Sequence, residues 1–170
     1  DAKGLLNAAI EDPNPYMYFE HKALYRSLSA EVPDSYYTIE VGKAALAAEG
    51  PELSIITYGM GVHWALDAIK EHGISADVLD LRTLLPWDKE AVENTVKKTG
   101  RVIILHEDCM TGGIGAEIAA WVSEHCFEYL DAPVMREASL DTPVPFAKAL
   151  EENFLPKQRI KDKIDLLIRY

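Results

Sequence analysis

The sequence is poor in positive charge. Its 170 residues include 17 Lys and Arg against 28 Asp and Glu, which gives a formal net charge of −11, and no Lys or Arg lies between Arg101 and Arg136. Because contacts with a phosphate backbone need clustered basic side chains, this composition excludes a large nucleic-acid interface. It favours either a positively charged protein partner or a surface whose acidity serves only solubility.

Long apolar runs and cysteines are also scarce. No run approaches the roughly 18 residues that a membrane span needs, and Asp1-Ala2-Lys3 does not begin a signal peptide. Cys109 and Cys126 are too few for a disulfide framework, which favours reduced thiols and a cytoplasmic location. Hydrophobic residues still make up 48% of the chain, enough for the core of one ordinary domain.

Motifs for catalysis and metal binding are missing as well. None of the five histidines belongs to an H-E-x-x-H or comparable metal pattern. Ser139 and Cys109 have no adjacent base in any familiar nucleophile motif. The residues alone therefore assign no catalytic, cofactor-binding or metal-binding residue, and they favour a domain that assembles into something larger.

The stretch 102–122 indicates the architecture most clearly. Val102–Leu105 is typical of a strand buried on both faces, and the polar triplet 106–108 predicts that the strand ends at an exposed edge. A glycine loop at 111–115 follows, and helical spacing then predicts a helix over 114–127. Strand, loop and helix in this order are typical of an open α/β sheet.

Two functions are open for the glycine loop and two for His106. The loop could bind phosphate at a helix N-terminus, but it has neither a Walker lysine nor a nearby cation, so close packing of the helix on the strand is favoured. His106 could act as an acid or base. The favoured alternative is a hydrogen-bonded histidine that orients the loop.

Strands and helices alternate from residue 53 onward. Strands are predicted at 53–58, 76–81, 102–105 and 134–138, and helices at 62–72, 89–98, 114–127, 145–153 and 159–170. Asp88 is the predicted N-cap of the second helix, and Gly73 and Gly100 are predicted helix ends. This order predicts a mainly parallel sheet covered on both faces.

The beginning of the chain has a different character. A short helix, a strand at 16–19 and a helical turn before residue 28 cannot close a core by themselves. Residues 1–28 are therefore expected to end an upstream domain, with a linker at 29–35 and the main domain at 36–170. A further strand is predicted at 36–41. Since the chain does not begin with Met, it is expected to be part of a longer protein.

Several motifs resemble one known family, the beta subunits of the thiamine-diphosphate-dependent first component of 2-oxoacid dehydrogenase complexes. The match extends over essentially the whole chain. The motifs are F-E-H-K-A-L-Y-R at 19–26, I-T-Y-G-M-G-V-H at 56–63, D-L-R-T-L-L-P-W-D at 80–88, H-E-D-C-M-T-G-G-I-G-A-E-I at 106–118, L-D-A-P-V-M-R at 130–136 and D-T-P-V-P at 141–145.

The resemblance implies a fold and a division of labour. Residues 1–28 would end the pyrimidine-binding domain, and 36–170 would form a transketolase-type C-terminal domain. That domain is a three-layer α/β/α sandwich with a five-stranded mixed sheet whose first strand is antiparallel to the rest. Thiamine diphosphate and magnesium would be held by other domains of the intact enzyme, so this fragment alone is expected to bind neither and to be inactive.

The resemblance also implies partners. The domain would dimerise beta subunits, join an alpha subunit or a fused alpha half, and dock the acyltransferase core through its basic subunit-binding domain. The docking residues implied are Asp131 and the terminal carboxylate on Tyr170. The H-E-x-x-x-T-G-G form resembles the branched-chain type. Two alternatives remain, a stand-alone protein-binding module and a part of another transketolase-like enzyme, such as a 2-oxoacid ferredoxin oxidoreductase or a xylulose-phosphate synthase.

Overall fold

A computed structural model describes residues 1–170 as one five-stranded sheet with helices on both faces. The strands are β1 (Ala45–Ala48), β2 (Leu53–Thr57), β3 (Ala76–Asp80), β4 (Val102–Cys109) and β5 (Met135–Ser139). The helices are α1 (Ala2–Glu11), α2 (Leu24–Ser27), α3 (Met60–His72), α4 (Lys89–Thr99), α5 (Ile114–His125), α6 (Lys148–Phe154) and α7 (Ile160–Ile168). Two 3₁₀ turns span Phe127–Tyr129 and Pro156–Gln158. None of the helices is long and apolar enough to cross a bilayer.

The strand order is β1-β3-β2-β4-β5. Strands β2 to β5 are parallel, and β1 is antiparallel to β3. The predicted five-stranded mixed sheet is therefore confirmed. Along the chain, the step from β2 to β3 leads toward one edge of the sheet, and the step from β4 to β5 leads toward the other edge. The winding direction therefore reverses between the neighbouring strands β2 and β4, where open α/β sheets tend to bind ligands.

Two apolar cores lie on opposite faces of the sheet because successive strand residues point to opposite sides. On one face, Ile55 and Leu105 pack in a core with α3 and α7. On the other face, Ile56 and Ile104 pack in a core with α4 and α5. This arrangement confirms the predicted three-layer α/β/α sandwich.

Local signals for the helix ends are also confirmed. The Asp88 carboxylate accepts a hydrogen bond from the Ala91 N–H at 3.0 Å, as an N-cap does. Helices α3 and α4 end at Gly73 and Gly100, both in the left-handed conformation that glycine adopts without a steric penalty.

The strand predicted at 36–41 is wrong. These residues lie beside α1, where the Ile39 N–H donates to the Gly4 carbonyl and the Asn7 side chain donates to the Tyr37 carbonyl. The Ile39 N–H and the Tyr37 carbonyl are therefore bound to α1 rather than to a neighbouring strand. The antiparallel edge strand is instead the alanine-rich segment 45–48, which was not predicted to be a strand.

Three other predictions differ from the structure. Residues 16–19 pair with no strand and so form none. Strand β4 continues through the polar triplet to Cys109 because β5 pairs with it as far as Ser139. Helix α6 begins at Lys148 rather than at Pro145.

Candidate functional site

The first candidate site is the carboxyl edge of the sheet where the winding direction reverses. Tyr58 follows β2 and His106 lies in β4, and their rings are parallel within 12° with centroids 6.5 Å apart. Burial, and secondarily the charges of Asp108 and Glu107, raise the pKa of Tyr58 to about 12. Tyr58 is therefore a neutral phenol at physiological pH.

His106 is fully buried, contrary to the predicted exposed strand end. Neither ring nitrogen has a hydrogen-bond partner of good geometry within this chain, which argues against the predicted hydrogen-bonded histidine. The ring contacts the glycine loop by packing. A Cβ on Gly113 would lie 2.5 Å from His106 Cε1, and a Cβ on Gly115 would lie 2.5 Å from His106 Cδ2. Because Gly113 and Gly115 have no Cβ, the imidazole can pack directly against the loop. This contact confirms the predicted close packing of helix on strand.

The electrostatics around this loop do not favour an anion. Burial lowers the pKa of His106, only partly offset by Asp108, so the ring is neutral near pH 7. Asp141 accepts hydrogen bonds from both the backbone and the side chain of Thr111. The one guanidinium brought to the loop, that of Arg136, donates to the Met110 carbonyl at 3.0 Å.

A small cavity of about 130 Å³ opens beside the end of β4. Its polar lining includes the carboxylates of Glu107, Asp108 and Glu151, and its apolar lining includes Val144 and Phe154. Because three carboxylates border it, this cavity repels phosphate. No group of three or more His, Cys, Asp or Glu has the arrangement of a metal site.

The N-terminal segment contacts the same edge. His21 Nε2 lies 2.7 Å from Glu107 Oε2, and both side chains are about two-thirds buried. This contact joins residues 86 positions apart, and no local pattern in the sequence indicates it. Arg136 likewise carries no local signal that marks it as a site residue, because its position opposite Ile104 depends on the pairing of β4 with β5.

Asp131, the first predicted docking residue, lies at the opposite edge, just before β5 begins. Its N–H donates to the Gly100 carbonyl at 2.8 Å, and its carboxylate lies over Gly100, where a Cβ would be 2.5 Å from Oδ2. The side chain is exposed and forms no ion pair. Position 100 therefore favours glycine for two reasons: its left-handed backbone conformation, and the Asp131 carboxylate that occupies the space of a side chain.

Tyr170, the second predicted docking residue, follows α7. The run of the chain from Lys157 through α7 is parallel to α3, because Lys157 contacts Asp67 and Asp165 contacts His72. Since α3 returns from the carboxyl end of β2 to the amino edge, α7 ends at the amino edge as well. Ala132 and Leu167 share one core cluster. The structure therefore brings Asp131 and the exposed Tyr170 to the same edge of the sheet.

A parallel sheet whose winding direction reverses, with one antiparallel strand added at its edge, defines an open α/β domain. The sequence profile of "Transketolase, C-terminal domain" matches residues 42–159. The chain belongs to the transketolase C-terminal domain family.

Individual relatives agree with this assignment. The chain is 45% identical to 2-oxoisovalerate dehydrogenase subunit beta of Bacillus subtilis, over 99% of this chain and 52% of the relative. It is 46% identical to the pyruvate dehydrogenase E1 component subunit beta of the same organism, over 94% and 50%. The chain thus spans about half the length of these relatives.

A solved structure is similar as well. A split-gene transketolase, described as an inactive beta4 tetramer, superimposes with a TM-score of 0.67 and 26% identity, over 84% of this chain and 46% of that chain. The likeness supports the sheet order and the layering described above.

Proposed function

We propose that this chain is the C-terminal assembly domain of the beta subunit of a thiamine-diphosphate-dependent 2-oxoacid dehydrogenase. The observation that carries the proposal is that Asp131, which forms no ion pair, and the end of α7 lie at the same edge of the sheet in a domain related to such subunits. An arginine-rich subunit-binding domain of the acyltransferase suits this edge because a guanidinium pairs with two carboxylate oxygens.

The intact enzyme would decarboxylate a 2-oxoacid on thiamine diphosphate and transfer the acyl group to lipoyl groups. The glycine loop of this chain does not fit the diphosphate of that cofactor. The imidazole of His106 occupies the space that the loop glycines leave, and Glu107, Asp108 and Asp141 border the loop with negative charge. In this proposal the diphosphate and its magnesium ion are held by other domains of the intact enzyme, and this fragment alone is inactive.

Residues 1–28 would end the pyrimidine-binding domain and 29–35 would link it to the domain at 36–170. The exposed apolar side chains of Met17, Phe19 and Tyr25 support this division, because such groups on one short segment require cover. We propose that these apolar side chains are covered by the alpha subunit, or a fused alpha half, and by a second beta subunit. The unpaired Cys109 and Cys126 support a cytoplasmic location.

The proposed substrates are branched-chain 2-oxoacids, as for the 2-oxoisovalerate dehydrogenase relative. The supporting feature in this chain is the H-E-x-x-x-T-G-G form at 106–113. Assay of the assembled enzyme tests the preference: kcat/KM should be higher for 2-oxoisovalerate than for pyruvate, and the reverse order would contradict it.

Calorimetry with the subunit-binding domain tests docking. Asp131→Ala should weaken binding by roughly 1 to 3 kcal/mol, as for a lost charge-assisted hydrogen bond. Asp34→Ala is the matched control, since Asp34 is an exposed carboxylate without an ion pair on the linker. Unchanged affinity of the Asp131 variant would remove this residue from the docking site.

A further inference from the structure

The 3₁₀ turn next to Asp131 carries an exposed aromatic side chain. Phe127 is 77% exposed although it follows the fully buried Cys126. From this turn we infer that Phe127 is the apolar anchor of the amino-edge docking surface and receives an arginine side chain of the basic partner. The inference rests on the proposed docking function and adds a residue to it.

Unbalanced charge surrounds this side chain. Glu124, Glu128 and Asp131 are exposed and form no ion pair. The absence of Lys and Arg from residues 102–135 means that α5 and the turn supply no cation of their own. The surface of α3 and α7 differs, because acids there face basic side chains, as Asp67 faces Lys157. One basic side chain of this chain does approach the turn: Lys97 lies 4.9 Å from the centre of the Tyr129 ring, but it is already paired with Glu93. The three acids beside Phe127 are therefore left without an ionic partner in this chain, and an arginine of another molecule can pair with them.

The turn holds Phe127 in a defined position. The Leu130 N–H donates to the Phe127 carbonyl at 3.2 Å, and the Tyr129 N–H donates to the Cys126 carbonyl at 2.9 Å. Cys126 packs in the core beneath α5, and the Asp131 N–H is bound to Gly100. Because the backbone is already ordered on both sides of Phe127, a partner that covers the ring pays little conformational entropy.

The chemistry of the surface selects arginine over other contacts. A guanidinium can stack on an aromatic face while its N–H groups reach carboxylates at the rim. Phe127 supplies the face, and Glu128 and Asp131 supply the carboxylates within four residues of it. Binding hot spots are enriched in aromatic and arginine side chains that are surrounded by contacts excluding water.

The test measures the dissociation constant of the full chain for an arginine-rich subunit-binding domain of an acyltransferase at several salt concentrations. Phe127→Ala should weaken binding about tenfold or more and leave the salt dependence nearly unchanged, because no charge is removed. Phe127→Tyr should retain affinity, whereas Phe127→Leu should recover only part of it. Asp131→Asn should instead reduce the salt dependence.

The matched control is Phe146→Ala. Phe146 is a fully exposed phenylalanine in the loop after the carboxyl end of β5, and its loss should leave affinity unchanged. Equal affinity of the Phe127→Ala variant and the unmodified chain would overturn the anchor while leaving docking through Asp131 intact. Absence of binding by the unmodified chain would overturn the proposed docking and the anchor together.

Discussion

The contact between Gly115 and His106 predicts a double-mutant cycle in which one substitution changes sign. Gly115→Ala is made in the unmodified chain and in a His106→Ala background. In the unmodified chain the new methyl group would lie 2.5 Å from His106 Cδ2 and 3.3 Å from Ile104 Cγ2, so the buried ring must move. In the His106→Ala background the ring is gone and the methyl group has room.

The magnitude follows from two opposing effects. Overpacking a core costs about 1 to 3 kcal/mol, and replacing glycine by alanine inside a helix stabilises it by up to about 1 kcal/mol. The free energy of unfolding should therefore fall by up to about 3 kcal/mol in the unmodified chain. In the His106→Ala background it should stay level or rise by up to about 1 kcal/mol.

Urea unfolding measures the cycle, with the midpoint and slope recorded for all four proteins. The control is Gly112→Ala, since Gly112 has a φ of 82° and nothing lies within 4 Å of a Cβ there. Its cost of about 1 to 2 kcal/mol comes from backbone strain and should be the same in both backgrounds. A Gly115→Ala cost that is equal with and without the imidazole would refute the packing argument.

Two further predictions concern stability. Burial lowers the pKa of His106, so near the ordinary histidine pKa of about 6.5 the unfolded chain binds more protons than the folded chain. The free energy of unfolding should therefore decrease as the pH falls below about 6.5, and His106→Gln should make urea midpoints between pH 5 and 8 less dependent on pH; an unchanged slope would contradict this origin. Asp77 is buried and accepts hydrogen bonds from the Gly50 N–H and the Thr95 hydroxyl, so Asp77→Ala should cost about 3 kcal/mol in urea unfolding. Glu93→Ala, which breaks an exposed pair, should cost less than about 1 kcal/mol, and equal costs would argue against the buried network.

Prediction from sequence succeeded where the signal is local. The alternation of predicted strands and helices predicted the parallel sheet. Asp88, Gly73 and Gly100 predicted helix ends, because caps depend on residues three or four positions away. It failed for the edge strand. The alternating pattern at 36–41 favoured a strand, yet α1 uses those backbone groups, and the alanine-rich 45–48 pairs with β3 despite its low β propensity.

The candidate sites show the same division. The glycine loop could be interpreted correctly as a packing feature because the absence of nearby cations is visible in the sequence. The burial of His106 could not be predicted from the sequence, because it depends on α5 covering β4. Likewise, the approach of His21 to Glu107 spans 86 residues and depends on the path of the whole N-terminal segment.

The sequence by itself determined that the protein is an acidic α/β domain with no phosphate-binding or metal motif, because composition and short-range periodicity are sufficient for those conclusions. Only the tertiary structure decided which acids remain without partners. Asp67 meets Lys157 because α3 lies beside the segment that leads into α7, whereas no basic side chain reaches Asp131 in an ion pair at the amino edge. Ion pairing joins residues distant in sequence, and so the surface left for a basic partner is a property of the fold.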